Sequence, residues 1–129
     1  MQKLFLLFSH TLTPEQIQDA KQTLHCSDII YLPEELQEKW SHVDPVGDLD
    51  DRVIQEFITY LKDMTSENDY ILIQGDFGLC YVMVKWCQEN DRIPLYSTTY
   101  RNSKDKNIEK GKIQKTQLFK HINFRRYPK

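Results

Sequence analysis

Three short segments of the sequence carry side chains that could bind a phosphate-bearing ligand. Ser9 and His10 supply a hydroxyl and an imidazole, and Arg101 supplies a guanidinium that can hold a phosphate through two parallel hydrogen bonds. Residues 74–78 read Gln-Gly-Asp-Phe-Gly, and glycines allow a backbone to approach a ligand closely. A helix that begins after such a turn offers unpaired N–H groups to an anion. These residue types favour the binding or transfer of phosphate groups.

Each of these features also has an ordinary structural explanation. A tight turn from strand to helix accounts for the two glycines equally well, and isolated histidines such as His10 and His121 are more often structural hydrogen-bond donors. Asp76 would repel a phosphate, so we expect it to cap its helix or to accept a ligand hydroxyl. The sequence has no Asp, Glu or His set with metal-ligand spacing, so we expect neither a metal nor a cofactor.

The elements that would position these residues alternate between strands and helices. Residues 3–8, which are continuously apolar after Lys3, predict a strand buried on both faces, as in a parallel sheet. Thr13, Pro14 and Gln16 form the pattern of a helix start with a capping box. By the same reasoning, the other predicted strands are 28–32, 70–74 and 93–98, and the predicted helices are 13–24, 34–40, 50–64 and a fourth that follows residue 78 and ends near 89.

This alternation predicts an α/β fold, namely a Rossmann-like three-layer domain with a mainly parallel sheet. The length of 129 residues is that of one domain, so we expect a single domain over residues 1–129. Beyond Thr98 we expect a C-terminal β-hairpin extension, with Lys110 and Gly111 at its turn and a last strand near residues 122–127. The carboxyl ends of parallel strands meet at one edge of a sheet. We therefore expect the three polar segments to converge there.

The charge is distributed very unevenly along the chain. Residues 1–100 hold 7 Lys/Arg and 17 Asp/Glu, net −10, whereas residues 101–129 hold 10 and 2, net +8. This asymmetry indicates an anionic partner, unless the basic segment only neutralises the acidic body. No apolar run approaches the roughly 20 residues of a membrane span and no signal peptide is recognisable, so we expect a cytoplasmic protein.

Five motifs follow one another through nearly the whole chain: Phe5-Leu6-Leu7-Phe8-Ser9-His10-x-Leu12-Thr13, Leu32-Pro33-x-Glu35-Leu36-x-x-x-Trp40, Ile73-Gln74-Gly75-Asp76-Phe77-Gly78, Pro94-x-Tyr96-x-Thr98-Thr99-x-Arg101 and Phe119-Lys120-His121-x-x-Phe124-Arg125-x-Tyr127. Together they resemble a family of small CRISPR-associated proteins that is found beside type III CRISPR systems and is related to the CRISPR-associated Rossmann-fold (CARF) sensors.

The resemblance implies a ring nuclease that opens the second messenger cyclic tetra-adenylate. Such sites are typically metal-independent and lie at the cleft of a homodimer, where a ribose 2′-hydroxyl attacks the adjacent phosphorus. On this interpretation the catalytic candidates are Ser9, His10 and Arg101. The ligand-binding candidates are Gln74, Gly75, Asp76, Phe77, Gly78, Thr98, Thr99, Lys115, Lys120, His121 and Arg125.

Two other interpretations remain open from the sequence. Small relatives of this kind can bind the messenger without cutting it, which would make the protein a sequestering or sensor module. The basic C-terminal segment could instead bind nucleic acid, with Tyr100, Phe119, Phe124 and Tyr127 as stacking residues. Because the segment contains no recognisable nucleic-acid-binding module, we expect no stable binding to duplexes, and we expect no membrane partner.

Overall fold

The computed structural model describes the backbone of residues 2–109 and 112–129, and the side chains of residues 2–100 and 120–129. Strands and helices alternate through the first three quarters of the chain, as predicted. In chain order the elements are β1 (Leu4–Leu7), α1 (Pro14–Gln22), β2 (Ile29–Ile30), α2 (Glu34–Ser41), α3 (Asp51–Met64), β3 (Tyr70–Ile73), α4 (Phe77–Glu89), β4 (Ile93–Glu109) and β5 (Lys112–Arg126).

The five strands form one sheet in the order β2-β1-β3-β4-β5. The first four strands are parallel, and β5 runs antiparallel to β4. The chain moves from β1 to one side to form β2 and then crosses to the other side of β1 to form β3. The strand order therefore reverses between β1 and β3. The result is a mixed α/β fold that is compatible with a Rossmann-like arrangement.

Helices cover both faces of this sheet. On one face, Leu4 and Leu6 of β1 pack in a cluster with Ala20 of α1. On the other face, Phe5 and Leu7 of β1 pack in a cluster to which α2, α3 and α4 contribute, including Trp40, Phe57, Leu61 and Met83. Both faces of β1 are thus buried, which explains its unbroken apolar sequence.

Side chains at the starts of three helices accept the capping hydrogen bonds of their first turns. Thr13 and Gln16 form the complete capping box of α1, with Gln16 N–H donating to Thr13 Oγ1 and Thr13 N–H donating to Gln16 Oε1. The Asp50 carboxylate accepts from Arg52 N–H at the start of α3. Asp76 accepts from Leu79 N–H at the start of α4, which confirms the capping role expected for it.

The C-terminal hairpin is present, but its first strand differs from the prediction. The strand expected to end at Thr98 continues to Glu109, because β5 supplies a hydrogen-bonding partner after the pairing with β3 stops at Leu95. Thr98 and Thr99 therefore lie within a long strand and not at a strand end. The turn predicted at Lys110 and Gly111 lies outside the described residues.

Two irregularities interrupt the pairing of β4 with β5, one between Asn107 and Glu109 and one between Thr98 and Thr99. Thr98 is opposite Asn123 and Thr99 is opposite His121, so Ile122 is an extra residue on β5. This is a β-bulge, which changes the face toward which the following side chains point.

No helix in the described part of the chain is long and apolar enough to cross a membrane.

Candidate functional site

Two of the predicted polar segments lie side by side at the carboxyl edge of the sheet. Leu7 at the end of β1 pairs with Ile73 at the end of β3, and Gln74 N–H donates to Leu7 O at 3.1 Å. Ser9 and His10 follow the first strand, and residues 74–78 follow the second. We call this group the rim. It lies where the strand order reverses, the usual ligand-binding position in open α/β sheets.

The two rim residues after β1 are accessible to solvent. Ser9 is half-buried and His10 is exposed. The imidazole of His10 packs edge-on against Phe8, with 5.4 Å between ring centroids. His10 is therefore placed so that a ligand at the rim could reach it.

Packing inside the protein requires a glycine at position 75 of the rim. A Cβ on Gly75 would lie 2.7 Å from Nε1 of Trp40, whose indole donates to Gln74 O at 2.9 Å. A Cβ on Gly78 would lie 2.9 Å from Leu49 Cδ1, the end of a flexible side chain that can shift. Gly75 thus has a reason within the fold that the local sequence did not reveal.

A cavity of ≈ 850 Å³ begins at the rim and continues along α4 toward the C-terminus. We call it the α4 cavity. Its size lies within the range of small-molecule sites. The residues that line it come from the rim, from one side of α4, from β4 and from the segment after β5: Gln74, Gly75, Phe77, Cys80, Tyr81, Val84, Lys85, Gln88, Tyr96, Tyr127, Pro128 and Lys129.

Aromatic rings dominate this lining. Phe77 is 94% exposed and Tyr81 is 68% exposed, although large apolar side chains are usually buried in a folded domain. Tyr96 and Tyr127 line the same cavity, with 4.9 Å between the centroids of the two tyrosine rings. Lys85 and Lys129 add positive charge to the same cavity. The cavity therefore combines flat apolar surfaces with cationic groups.

The far wall of the α4 cavity is fixed by hydrogen bonds. Tyr127 Oη donates to Ile73 O at 2.6 Å, and Gln88 Nε2 donates to Pro128 O at 3.1 Å. Burial raises the pKa of Tyr127 to about 12, so its hydroxyl stays neutral. Burial also raises the pKa of the Cys80 thiol to about 11. Neither group therefore carries a negative charge near neutral pH. A negative charge in the cavity would oppose the binding of an anionic ligand.

The predicted residues on the ribbon of β4 and β5 have different surroundings. Arg125 is exposed, and its guanidinium donates to Tyr96 Oη at 3.2 Å and lies 5.7 Å from the centre of that ring. Thr98 Oγ1 donates to Asn123 Oδ1 at 2.7 Å, while Thr99 and Lys120 are exposed. Arg101 and Lys115 have side chains outside the described residues. Phe124 is 9% exposed, so its ring is not available to stack on a base.

His121 is part of a network that the sequence did not predict. Its Nδ1 lies 2.6 Å from Ser97 Oγ, and its Nε2 lies 2.8 Å from Asp19 Oδ2. The side chain of His121 is 5% exposed, so the imidazole is buried and is not an open ligand contact. Ser97 in turn donates its backbone N–H to Gln74 Oε1 at 2.8 Å, which joins the network to the rim.

Comparison with known proteins places the chain in a family. Residues 2–125 match the family described as the uncharacterized protein MJ1673 family. The chain is 47% identical over 127 residues to "Uncharacterized protein MJ1673" of Methanocaldococcus jannaschii, and the match covers 98% of both chains. No solved structure matches the chain significantly. The chain therefore belongs to the MJ1673 family.

Proposed function

We propose that this protein is a ring nuclease with a Rossmann-like, CARF-related fold. It would bind cyclic tetra-adenylate and open the ring to linear products with 2′,3′-cyclic phosphate ends, which would switch off type III CRISPR signalling. The motif resemblance supports this proposal. The structural observation that carries it is the α4 cavity, which joins the rim to a surface of aromatic rings and lysines.

The lining of the α4 cavity suits the chemistry of an adenine nucleotide. Adenine has a flat π-surface, and stacking of a base on an aromatic side chain contributes about 1–3 kcal/mol. Phe77 and Tyr81 present such rings on α4, Tyr96 presents one on β4, and Tyr127 presents one after β5. Lys85 and Lys129 can pair with phosphates. A ligand that alternates bases and phosphates can use both kinds of contact.

The rim is the proposed place of cleavage. In-line attack of a 2′-hydroxyl requires that the hydroxyl be oriented, that charge developing on the phosphorus be neutralised and that the leaving oxygen be stabilised. We assign Ser9 and His10 to the first and last of these tasks and Arg101 to the second. Lys115, Lys120 and Arg125 would attract the ring toward this edge. The proposed reaction is metal-independent, because these groups can meet all three requirements.

A homodimer would complete the site. A ring with four equivalent phosphates can present the same groups to both subunits of a two-fold symmetric pair, which would double each contact. Sedimentation should show a dimer in the presence of the ligand, and a monomer with and without the ligand would contradict this part of the proposal. Since type III signalling takes place in the cytoplasm, we propose that the protein acts there.

The decisive experiment incubates the protein with radiolabelled cyclic tetra-adenylate in the presence of a chelator and separates the products by chromatography. We expect linear products with 2′,3′-cyclic phosphate ends. Activity abolished by the chelator and restored by Mg²⁺ would overturn the metal-independent mechanism. A ring that is bound but recovered intact after denaturation would show a sequestering module instead of an enzyme.

A pair of lysine variants tests whether the α4 cavity holds the ligand. Lys85 lies in the cavity, whereas Lys62 is an exposed lysine near the end of α3 that does not line it. Lys85→Ala should raise the Kd for the ring roughly two- to fivefold, the scale of one exposed charge pair. Lys62→Ala should leave the Kd unchanged. Equal effects of the two variants would exclude the cavity as the binding surface.

A further inference from the structure

We propose that Asp19, His121 and Ser97 form a proton-relay array in which Ser97 is the group that takes the proton from the attacking 2′-hydroxyl. This inference rests on the proposed function and supplies a general base for it. The three residues come from α1, β5 and β4, so only the fold brings them together. Both distances that join them, 2.6 Å between Ser97 and His121 and 2.8 Å between His121 and Asp19, are of hydrogen-bond length.

The hydrogen-bond polarity of the array follows from its chemistry. The ionised carboxylate of Asp19 can only accept, so the Nε2 of His121 carries a proton and donates to Oδ2. In a neutral imidazole the Nδ1 is then an acceptor, and the hydroxyl of Ser97 donates to it. A serine whose hydroxyl donates to a histidine, which in turn is oriented by a carboxylate, is the arrangement that activates hydroxyl groups in enzymes.

The β-bulge at Ile122 creates this array. Ser97 pairs with Phe124, so a regular strand would place residue 122 on the same face as Ser97 and would point His121 to the opposite face. The extra residue brings His121 opposite Thr99, onto the face toward α1 where Asp19 lies. Bulges are common next to active sites, where they redirect a side chain.

The array lies next to the rim. Ser97 is one strand away from Gln74, and its backbone N–H holds the Oε1 of that rim residue at 2.8 Å. Gln16 Nε2, at 3.4 Å, donates to Ser97 Oγ from the first turn of α1. Ser97 is 9% exposed and its hydroxyl is held by Gln16 and His121, so a ligand hydroxyl at the rim would reach it through one water molecule and not by direct contact, as general-base geometry allows.

The proton movements balance over the reaction. The 2′-hydroxyl gives its proton through this water to Ser97 Oγ while Ser97 passes its own proton to His121 Nδ1, and the carboxylate of Asp19 stabilises the resulting imidazolium. The 2′-oxygen forms a bond to phosphorus and the bond from phosphorus to the 5′-oxygen breaks. His10, as assigned above, gives a proton to the departing 5′-oxygen and regains one from water, and the imidazolium of His121 returns its proton through Ser97 to water, so that both histidines end as they began.

The array could be distinguished from a purely structural hydrogen-bond network by the effects of its removal. If the array only fastens α1 to β5, its removal should lower the thermal stability and should leave the cleavage rate of the folded protein unchanged. If the array relays protons, removal of the Ser97 hydroxyl should lower the rate by about 10²-fold or more while the Kd changes little. Ser97→Thr keeps the hydroxyl and suits a strand, so it should retain activity to within about tenfold.

The experiment measures single-turnover cleavage of cyclic tetra-adenylate, the Kd for the ring and the melting temperature of the wild type and of Ser97→Ala, Ser97→Thr and Asp19→Asn. We expect slow cleavage by the alanine and asparagine variants, rescue by threonine and a Kd within about twofold of wild type. Wild-type cleavage rates in Ser97→Ala and Asp19→Asn would overturn the proton relay and would leave the proposed cleavage of the ring unaffected. A wild-type protein that binds the ring and never cleaves it would overturn the proposed cleavage and the relay together.

Discussion

His121 and Asp19 are separated by 102 positions in the sequence, and their side chains lie 2.8 Å apart between β5 and α1. Helix α1 follows the first strand of the sheet and β5 is the last, so this contact joins the two ends of the domain. Their interaction is shielded from solvent, because the side chains are only 5% and 17% exposed. It should therefore contribute to stability whatever its role in chemistry.

Replacement of His121 by alanine should lower the free energy of unfolding by about 1–3 kcal/mol, because Ser97 and Asp19 each lose a hydrogen-bond partner in a largely buried place. Denaturant unfolding followed by circular dichroism measures this change. Lys120→Ala is the matched control, since Lys120 is adjacent and exposed. A loss no larger than that of the control would mean that the His121–Asp19 contact contributes nothing to stability.

Gly75→Ala should lower the free energy of unfolding by about 1–3 kcal/mol, the usual cost of overpacking. The new Cβ would lie 2.7 Å from Trp40 Nε1 and would displace the indole from Gln74 O. Urea unfolding measures the effect. The penalty should be smaller in a Trp40→Phe background, because the shorter ring leaves room for the methyl group. Equal penalties in the two backgrounds would exclude the contact with Trp40 as the cause.

The parts of the fold that could be predicted depend on local patterns. The unbroken apolar run of β1 indicated a strand buried on both faces, and Thr13 with Gln16 indicated the capping box of α1. Asp76 was expected to cap α4 or to accept a ligand hydroxyl, and it caps the helix. Each of these features is decided by residues a few positions apart. Local sequence is sufficient for them.

The parts that could not be predicted depend on distant residues. Gly75 is explained by Trp40, which lies 35 positions earlier on α2. The position of His121 in the array is explained by a one-residue bulge in β5 that leaves no mark in the sequence. The length of β4 depends on its pairing with β5. The aromatic residues of the α4 cavity follow a helical spacing from Phe77 to Tyr81, which signals an apolar stripe but not whether it is buried or exposed.

The cysteines should react slowly with alkylating reagents. The thiolate is the reactive form, and burial raises the pKa of Cys80 to about 11 from an ordinary value of 9.0. At pH 8 its thiolate should be roughly a hundredfold scarcer than that of an ordinary thiol, and its reactivity should return as the pH approaches 11. Mass spectrometry after iodoacetamide treatment measures the rate, with N-acetylcysteine as the reference. Labelling of Cys80 at the reference rate would contradict its burial.

Stability should decrease in alkaline solution, in part because of Tyr127. Its pKa is raised from 10.0 to about 12 in the folded protein, because burial disfavours the phenolate. The unfolded chain therefore loses this proton first, and the stabilising contribution is complete below pH 10 and is lost as the pH rises to about 12. Tyr127→Phe should reduce the slope of unfolding free energy against pH in this range. Tyr31→Phe, at a more exposed tyrosine, is the control, and equal slopes for the two variants would contradict the assignment.

The affinity for cyclic tetra-adenylate should fall as the salt concentration rises. The proposed phosphate contacts, Lys85 and Lys129 in the α4 cavity and the exposed Arg125 on β5, are accessible to ions, and such contacts are screened over about 8 Å at physiological ionic strength. A plot of log Kd against log salt measures the dependence.

The double variant Lys85→Ala/Lys129→Ala should show a shallower slope than wild type, because fewer counterions are exchanged when the ring binds. The same plot for Lys62→Ala should match wild type, since that lysine lies outside the cavity. An affinity that does not depend on salt would mean that the basic C-terminal segment balances the acidic body of the protein and that the ring is held by stacking alone.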